Sequence, residues 1–370
     1  MKSHMTAEDI SAQLTQIIGD AIQTAGGWIG FDHFEALALY RPGLGYYANA
    51  LPKFGQGPAS GSDFVTAPEL SPLFGRAWAV QVAQALQASG TREVYEFGAG
   101  TGALAHQLLS HLGDAVDVYN IVDLSGNLRA RQQLTLATFG DRVRWIDALP
   151  DAMQGVVVGN EVLDAMPVQL LARLQGVWHE RGVALHEGQL TWADRPTDLR
   201  PPCEVEGAHD YLTEIQPQAE AFIASLAERL LASERGGAAF FLDYGFPEAE
   251  YFHPQRHMGT VMCHQAHQSD MNPLVAVGLK DITAHVNFTG IALAGQNQGL
   301  NVLGYTSQAR FLLNLGLAEA MAEASLAERS QAQRLIAEHE MGELFKVVGF
   351  STQDDWQALG FAAGDRSHRL

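Results

Sequence analysis

The segment Val94-Tyr-Glu-Phe-Gly-Ala-Gly-Thr-Gly-Ala-Leu104 constrains the fold more than any other stretch of this chain. A short apolar run ends at Phe97, glycines follow at Gly98, Gly100 and Gly102, and a helical pattern starts near Ala103. Glycines so spaced let the backbone turn tightly and approach a ligand with no Cβ in the way. A strand that feeds a helix through such a turn is the opening unit of a parallel α/β sheet. A dinucleotide site uses G-x-G-x-x-G to seat a pyrophosphate on the helix N-terminus. Here the spacing is G-x-G-x-G, and Glu96 precedes the turn inside the strand. A carboxylate at that mouth repels pyrophosphate and attracts an ammonium group.

Further short apolar runs follow between amphipathic segments, at 118–122, 143–146, 156–158 and 239–242, with 300–303 and 345–348 completing a count of seven. Such runs predict parallel strands covered on both faces. Asp123 closes the second run, where an acid accepts hydrogen bonds from ribose hydroxyls. Asp147 closes the third, placed to meet an adenine amine, so the pocket is expected to include Asp123 with Leu124 and Asp147 with Ala148. The ammonium-attracting turn and the ribose acid together point to S-adenosylmethionine as cofactor.

The expected fold class is thus α/β, a Rossmann-like seven-stranded sheet, with two additions. Ile10, Leu14, Ile17, Ile18 and Ile22 recur at helical spacing, so residues 1–90 are read as a helical and lid segment. Residues 168–215 alternate around a turn at Gly188 and predict an inserted antiparallel elaboration. The catalytic domain then comprises 91–167 and 216–370. With 42 acidic against 23 basic residues the net charge is -19, which opposes nucleic-acid binding and suits a cationic partner. No apolar run reaches the roughly 20 residues that span a bilayer, so membrane insertion is not expected. The two cysteines and the absence of a signal-like start suggest a cytoplasmic setting.

Several segments together resemble the MidA-like class I methyltransferases: Tyr40-Arg-Pro-Gly-Leu-Gly-Tyr-Tyr47, Gly61 to Glu69, Glu96 to Gly102, Gly159-Asn-Glu-Val-Leu-Asp-Ala-Met-Pro167, Leu242-Asp-Tyr-Gly245, Asp281 to Phe288 and Met341 to Lys346. The resemblance runs from about Phe31 to Gly349. It implies a class I fold and an S-adenosylmethionine cofactor. For the mitochondrial members it implies complex I assembly, with an arginine on a respiratory complex I subunit as the methyl acceptor. Two departures stand out: the second-strand segment carries Asp123 and Ser125-Gly126 where relatives carry Glu and Ser-Pro, and Asn287 replaces an acid.

A guanidinium acceptor arrives charged and needs carboxylates to orient it. Asn160, Glu161 and Asp164 lie just past the fourth strand, where open α/β sheets place their active sites, and are the expected catalytic group. If that segment is helical, Glu161 and Asp164 share a face; Asp164 as a helix cap is the plainer alternative. Asp63 and Glu69 are expected in a lid over the cofactor, and Tyr46 and Tyr47 as pocket walls. His253, His257, His264 and His267 surround Cys263, but without paired ligand spacing no metal site is expected. A small-molecule O- or N-methyltransferase and a cofactor-binding assembly scaffold without turnover are the alternatives to a protein-arginine methyltransferase.

Overall fold

The computed structural model describes residues 5–49, 51, 66–123, 126–265, 268–354 and 356–370. The central sheet is built from β1 (Glu93–Phe97), β2 (Val118–Val122), β3 (Val143–Trp145), β4 (Gly155–Asn160), β5 (Gly237–Phe246), β6 (Asn301–Ser307) and β7 (Phe345–Ser351). Their spatial order is β6-β7-β5-β4-β1-β2-β3, with β7 antiparallel to both neighbours. Val286–Asn287 adds a short parallel pairing to the end of β5. The seven strands coincide with the seven apolar runs, and the order is that of a class I methyltransferase sheet. The order reverses between β1 and β4, so the crevice beyond their carboxyl ends is where a ligand fits.

One face of the sheet is covered by the helices Pro72–Ser89 and Ala103–Leu112, whose Trp78, Val82, Leu104 and Leu108 pack on Val94, Val156 and Phe240. Ser71 caps the first of these at Leu73 and Gly90 ends it in a left-handed turn. The opposite face is covered by Pro217–Leu231 and Phe288–Gln298, through Ile223, Leu226 and Ile291.

The insertion is an antiparallel sheet of Gln169–Leu174, Val177–His186, Gln189–Pro196 and Tyr211–Ile215, joined at one end by Ile29–Gly30. The helices Ala7–Thr24 and Phe31–Tyr40 pack on this sheet and not on the central one. Leu14, Ile18, Phe31 and Phe34 share a core with Leu170 and Val183. The small sheet of Met262–Gln265, Gln268–Asp270 and Asp281–Thr283 joins the same core through Cys263 and Ile282. Three segments far apart in sequence therefore build one body over the carboxyl end of the central sheet. The expectation that 216–370 belongs wholly with the catalytic sheet differs from this packing at 262–283.

Candidate active site

A cavity of about 1230 Å³ opens where β1, β2, β4 and β5 end beneath the second body. Its floor is the glycine turn. Gly100 has φ 53°, and a Cβ built there meets nothing within 4 Å, so its hydrogen side faces open cavity. Gly102 lies outside the lining: it takes φ 83° and starts the helix at Ala103. Gly98 and Asp123 line the cavity. Glu96 is 2% exposed, and its Oε2 accepts from the Tyr119 hydroxyl at 2.7 Å. Burial pushes Glu96 up to about 8 against that hydrogen bond, helped by the charge of Asp123. Gln132, fully buried, donates to both the Gly100 carbonyl (3.0 Å) and Asp123 Oδ2 (2.7 Å) and accepts from Trp145 Nε1. One amide side chain thus ties the turn to the second and third strands.

The acids stand beside this floor, after the neighbouring strand β4. The segment after β4 is a tight turn, not a helix, so a shared helical face does not explain how Glu161 and Asp164 come together. The turn wraps around Asp243, in the C-terminal half of β5. Asp243 Oδ2 accepts from the amides of Val162 (3.1 Å), Leu163 (2.9 Å) and Asp164 (3.2 Å), and Oδ1 from that of Tyr244 (3.0 Å). Glu161 is held at φ 55°, a left-handed conformation that a non-glycine residue adopts at a cost of roughly 1–3 kcal/mol. Its own amide bonds to the Leu242 carbonyl, and its Oε1 accepts from Asn160 Nδ2 at 2.9 Å. Burial and the neighbouring Asp164 push Glu161 up to about 8. Asp164, 4% exposed, is pushed up by burial to about 6 and is drawn back by the Tyr244 hydroxyl. Among the described residues its Oδ1 has no partner.

The second body supplies the rest. Tyr40 and Tyr47 stack at 5.6 Å over the cavity, and Tyr47 donates to Asp281 Oδ1 at 2.7 Å. Tyr46 is a core residue, 1% exposed. Glu69 lines the cavity with one carboxylate oxygen unpartnered among the described residues, whereas Asp63 and Leu124 lie outside them. Asp147 and Ala148 do not reach the cavity. β3 stops at Trp145, and beyond it Asp147 turns to solvent to pair with Arg129 at 3.1 Å; Leu149 lines the cavity instead. Among the described residues no group of His, Cys, Asp and Glu comes together as a metal site; Cys263 is core, and burial pushes its thiol up to about 12.

Asp243, Tyr244, Asp281 and Gln132 were not singled out from the sequence. Asp243, Tyr244 and Asp281 sit inside family segments, which was the available signal.

The raised acids have a consequence for stability. Glu161 ionises more readily in the unfolded chain than in the folded one, so its contribution is lost as pH rises from about 4.5 through about 8. Gln does not titrate. The thermal midpoint of Glu161→Gln should therefore match wild type at pH 5 and exceed it by about 2–4 °C at pH 8.5. Scanning calorimetry at the two values checks this; a difference that shrinks with pH contradicts it.

Residues 76–306 match the family model described as "Putative S-adenosyl-L-methionine-dependent methyltransferase". A Burkholderia thailandensis protein, crystallised with S-adenosylhomocysteine, is 49% identical, superposes with a TM-score of 0.94, and each chain covers 98% of the other. The zebrafish "Protein arginine methyltransferase NDUFAF7, mitochondrial" is 27% identical over 79% of this chain and 74% of its own length. The human protein of that name is 26% identical over 75% and 68%. These relatives are mitochondrial by name, which overturns the expectation of a cytoplasmic setting. With the family model spanning more than half its length, the chain belongs to this family of S-adenosyl-L-methionine-dependent methyltransferases.

Proposed function

We propose that the protein transfers a methyl group from S-adenosylmethionine to an arginine side chain of a protein, with a respiratory complex I subunit as the kind of partner its mitochondrial relatives suggest. The observation that carries this reading is the acidic, aromatic wall of the cavity that the glycine turn floors. Glu161, Asp164 and Asp281 lie there with Tyr40, Tyr47 and Tyr244, and a buried oxygen of Asp164 has no partner among the described residues. Carboxylates and aromatic faces together bind a guanidinium, through paired N–H bonds and cation–π attraction.

The residues that would hold the cofactor are Glu96 toward the methionine ammonium, the Gly98–Gly100 backbone, and Asp123 toward the ribose; the open space at Gly100 fits that use. When bound, S-adenosylmethionine supplies an electrophilic methyl group. The chain's own work is then to orient the acceptor nitrogen and to take up its proton. Glu161, fixed by Asn160 and by the turn around Asp243, is drawn into its charged form by the arriving guanidinium and then receives that proton at a carboxylate oxygen. Asp164 stays ionised to hold the remaining N–H groups, and an arriving cation favours its charged form. Binding energy spent on orientation in this way raises turnover.

The test is transfer of label from tritiated S-adenosylmethionine in a lysate of the host. A labelled polypeptide that yields methylarginine on hydrolysis is the expected result. A small labelled product would establish the small-molecule alternative, and binding without any label would establish the scaffold.

A further inference from the structure

Among the described residues two arginines line the same cavity, Arg256 and Arg334, and the methyl-transfer chemistry uses neither. The Arg256 guanidinium lies 3.7 Å from the centre of the Phe246 ring. Among the described residues no carboxylate lies within ion-pairing distance of Arg256, although other arginines of this acidic chain pair readily: Arg129 with Asp147, Arg181 with Asp194, and Arg334, at the same cavity, with Glu340.

The loop that carries Arg256 is built, not loose. The Arg256 amide bonds to the His253 carbonyl at 2.8 Å, and the His257 carbonyl accepts from Leu212 at 2.9 Å. Buried Glu214 takes the amides of Thr260 (2.7 Å) and Val261 (3.2 Å) and the Tyr251 hydroxyl. Gly259 passes so close that a Cβ there would lie 2.5 Å from Glu214 Oε1, at φ 72°.

A chain of contacts fixes where the cation stands relative to the acids. Tyr244 lines the cavity with Asp164, its ring meets His285 at 5.1 Å, His285 meets Phe246 at 5.3 Å, and Phe246 carries Arg256. Arg256 is therefore a few residues of extended polypeptide from the guanidinium-binding acids, at ~3.3–3.6 Å per residue. A guanidinium centred over an aromatic ring can still offer N–H groups to a carboxylate.

We propose that Arg256 binds an acidic side chain of the acceptor protein, located a few residues from the arginine that is methylated. This rests on the arginine reading above and narrows it to arginines with a nearby Asp or Glu. The acceptor then spans the cavity with its cation against Glu161 and Asp164 and its anion on Arg256, which rejects both uncharged and purely basic segments.

The experiment uses fluorescent ten-residue peptides with one central arginine and one Glu, or a matched Gln, at two to five positions on either side, each with amidated ends. Binding is read by anisotropy with S-adenosylhomocysteine present, and transfer by tritium from S-adenosylmethionine. Wild type should bind the best-placed Glu peptide about tenfold or more tightly than its Gln counterpart. Arg256→Gln should erase that ratio and Arg256→Glu should reverse it, with the KM for S-adenosylmethionine unchanged. Equal binding of all Glu and Gln pairs by wild type, failure to bind any peptide, or a preference that survives Arg256→Gln would overturn the proposal. So would a raised cofactor KM with no change in the peptide ratio, which would assign Arg256 to the cofactor's carboxylate. Charge-selective binding that Arg256→Gln erases, but with no methyl transfer to any peptide, would uphold the anionic subsite and overturn only the arginine reading.

Discussion

Glu161→Gln is expected to lower turnover by roughly a hundredfold or more while leaving affinity for S-adenosylhomocysteine within a few-fold of wild type. Gln fills the same space and can still accept from Asn160 Nδ2, so the turn after β4 keeps its shape. What is lost is the charge that meets the guanidinium and the site that takes its proton. Because that interaction strengthens as positive charge builds on the attacking nitrogen and its N–H grows more acidic, the loss falls on kcat more than on cofactor binding. Single-turnover transfer and calorimetric binding, measured on the same preparation, separate the two effects. Loss of cofactor binding with turnover intact at saturation would move Glu161 into the cofactor pocket and leave Asp164 and Asp281 as the acceptor acids.

Asp243→Ala should destabilise the protein by more than about 3 kcal/mol and abolish transfer. Four backbone amides converge on its carboxylate, and alanine offers none of them a partner. Each stranded donor costs about 1–3 kcal/mol, although the four share one turn and do not add in full. Glu161 would then lose the framework that holds it at φ 55°. Asp243→Asn keeps an acceptor oxygen but turns an amide donor toward the same N–H groups, so its stability should fall between wild type and Asp243→Ala. Denaturant melts of the three proteins check this order. A wild-type midpoint for Asp243→Ala would mean that the turn holds itself.

Much of this architecture was legible in the sequence because its signals are local. The glycine turn, the seven apolar runs and the Gly188 hairpin each declare themselves within about ten residues. Asp243 does not: three of its four partners are amides some eighty positions away, and a backbone N–H leaves no mark in a sequence. The packing of Ala7–Thr24 against the inserted sheet and Cys263 was hidden for the same reason, since an apolar helix face does not name the surface it will cover. Asp147 shows the opposite failure. It stands where a strand-closing acid should, but the strand ends at Trp145, and the two extra residues turn the side chain toward Arg129 and solvent.

The claim that most of this account depends on is that the crevice at the order reversal of the sheet, floored by Gly98–Gly100, holds S-adenosylmethionine. Titration calorimetry with S-adenosylhomocysteine tests it directly. Wild type and Glu161→Gln should each bind one equivalent, and Gly100→Val should bind none, since its branched side chain would both fill the open space at that position and strain a left-handed backbone. Failure of wild type to bind at millimolar ligand while binding NADH, or unaltered binding by Gly100→Val, would contradict it.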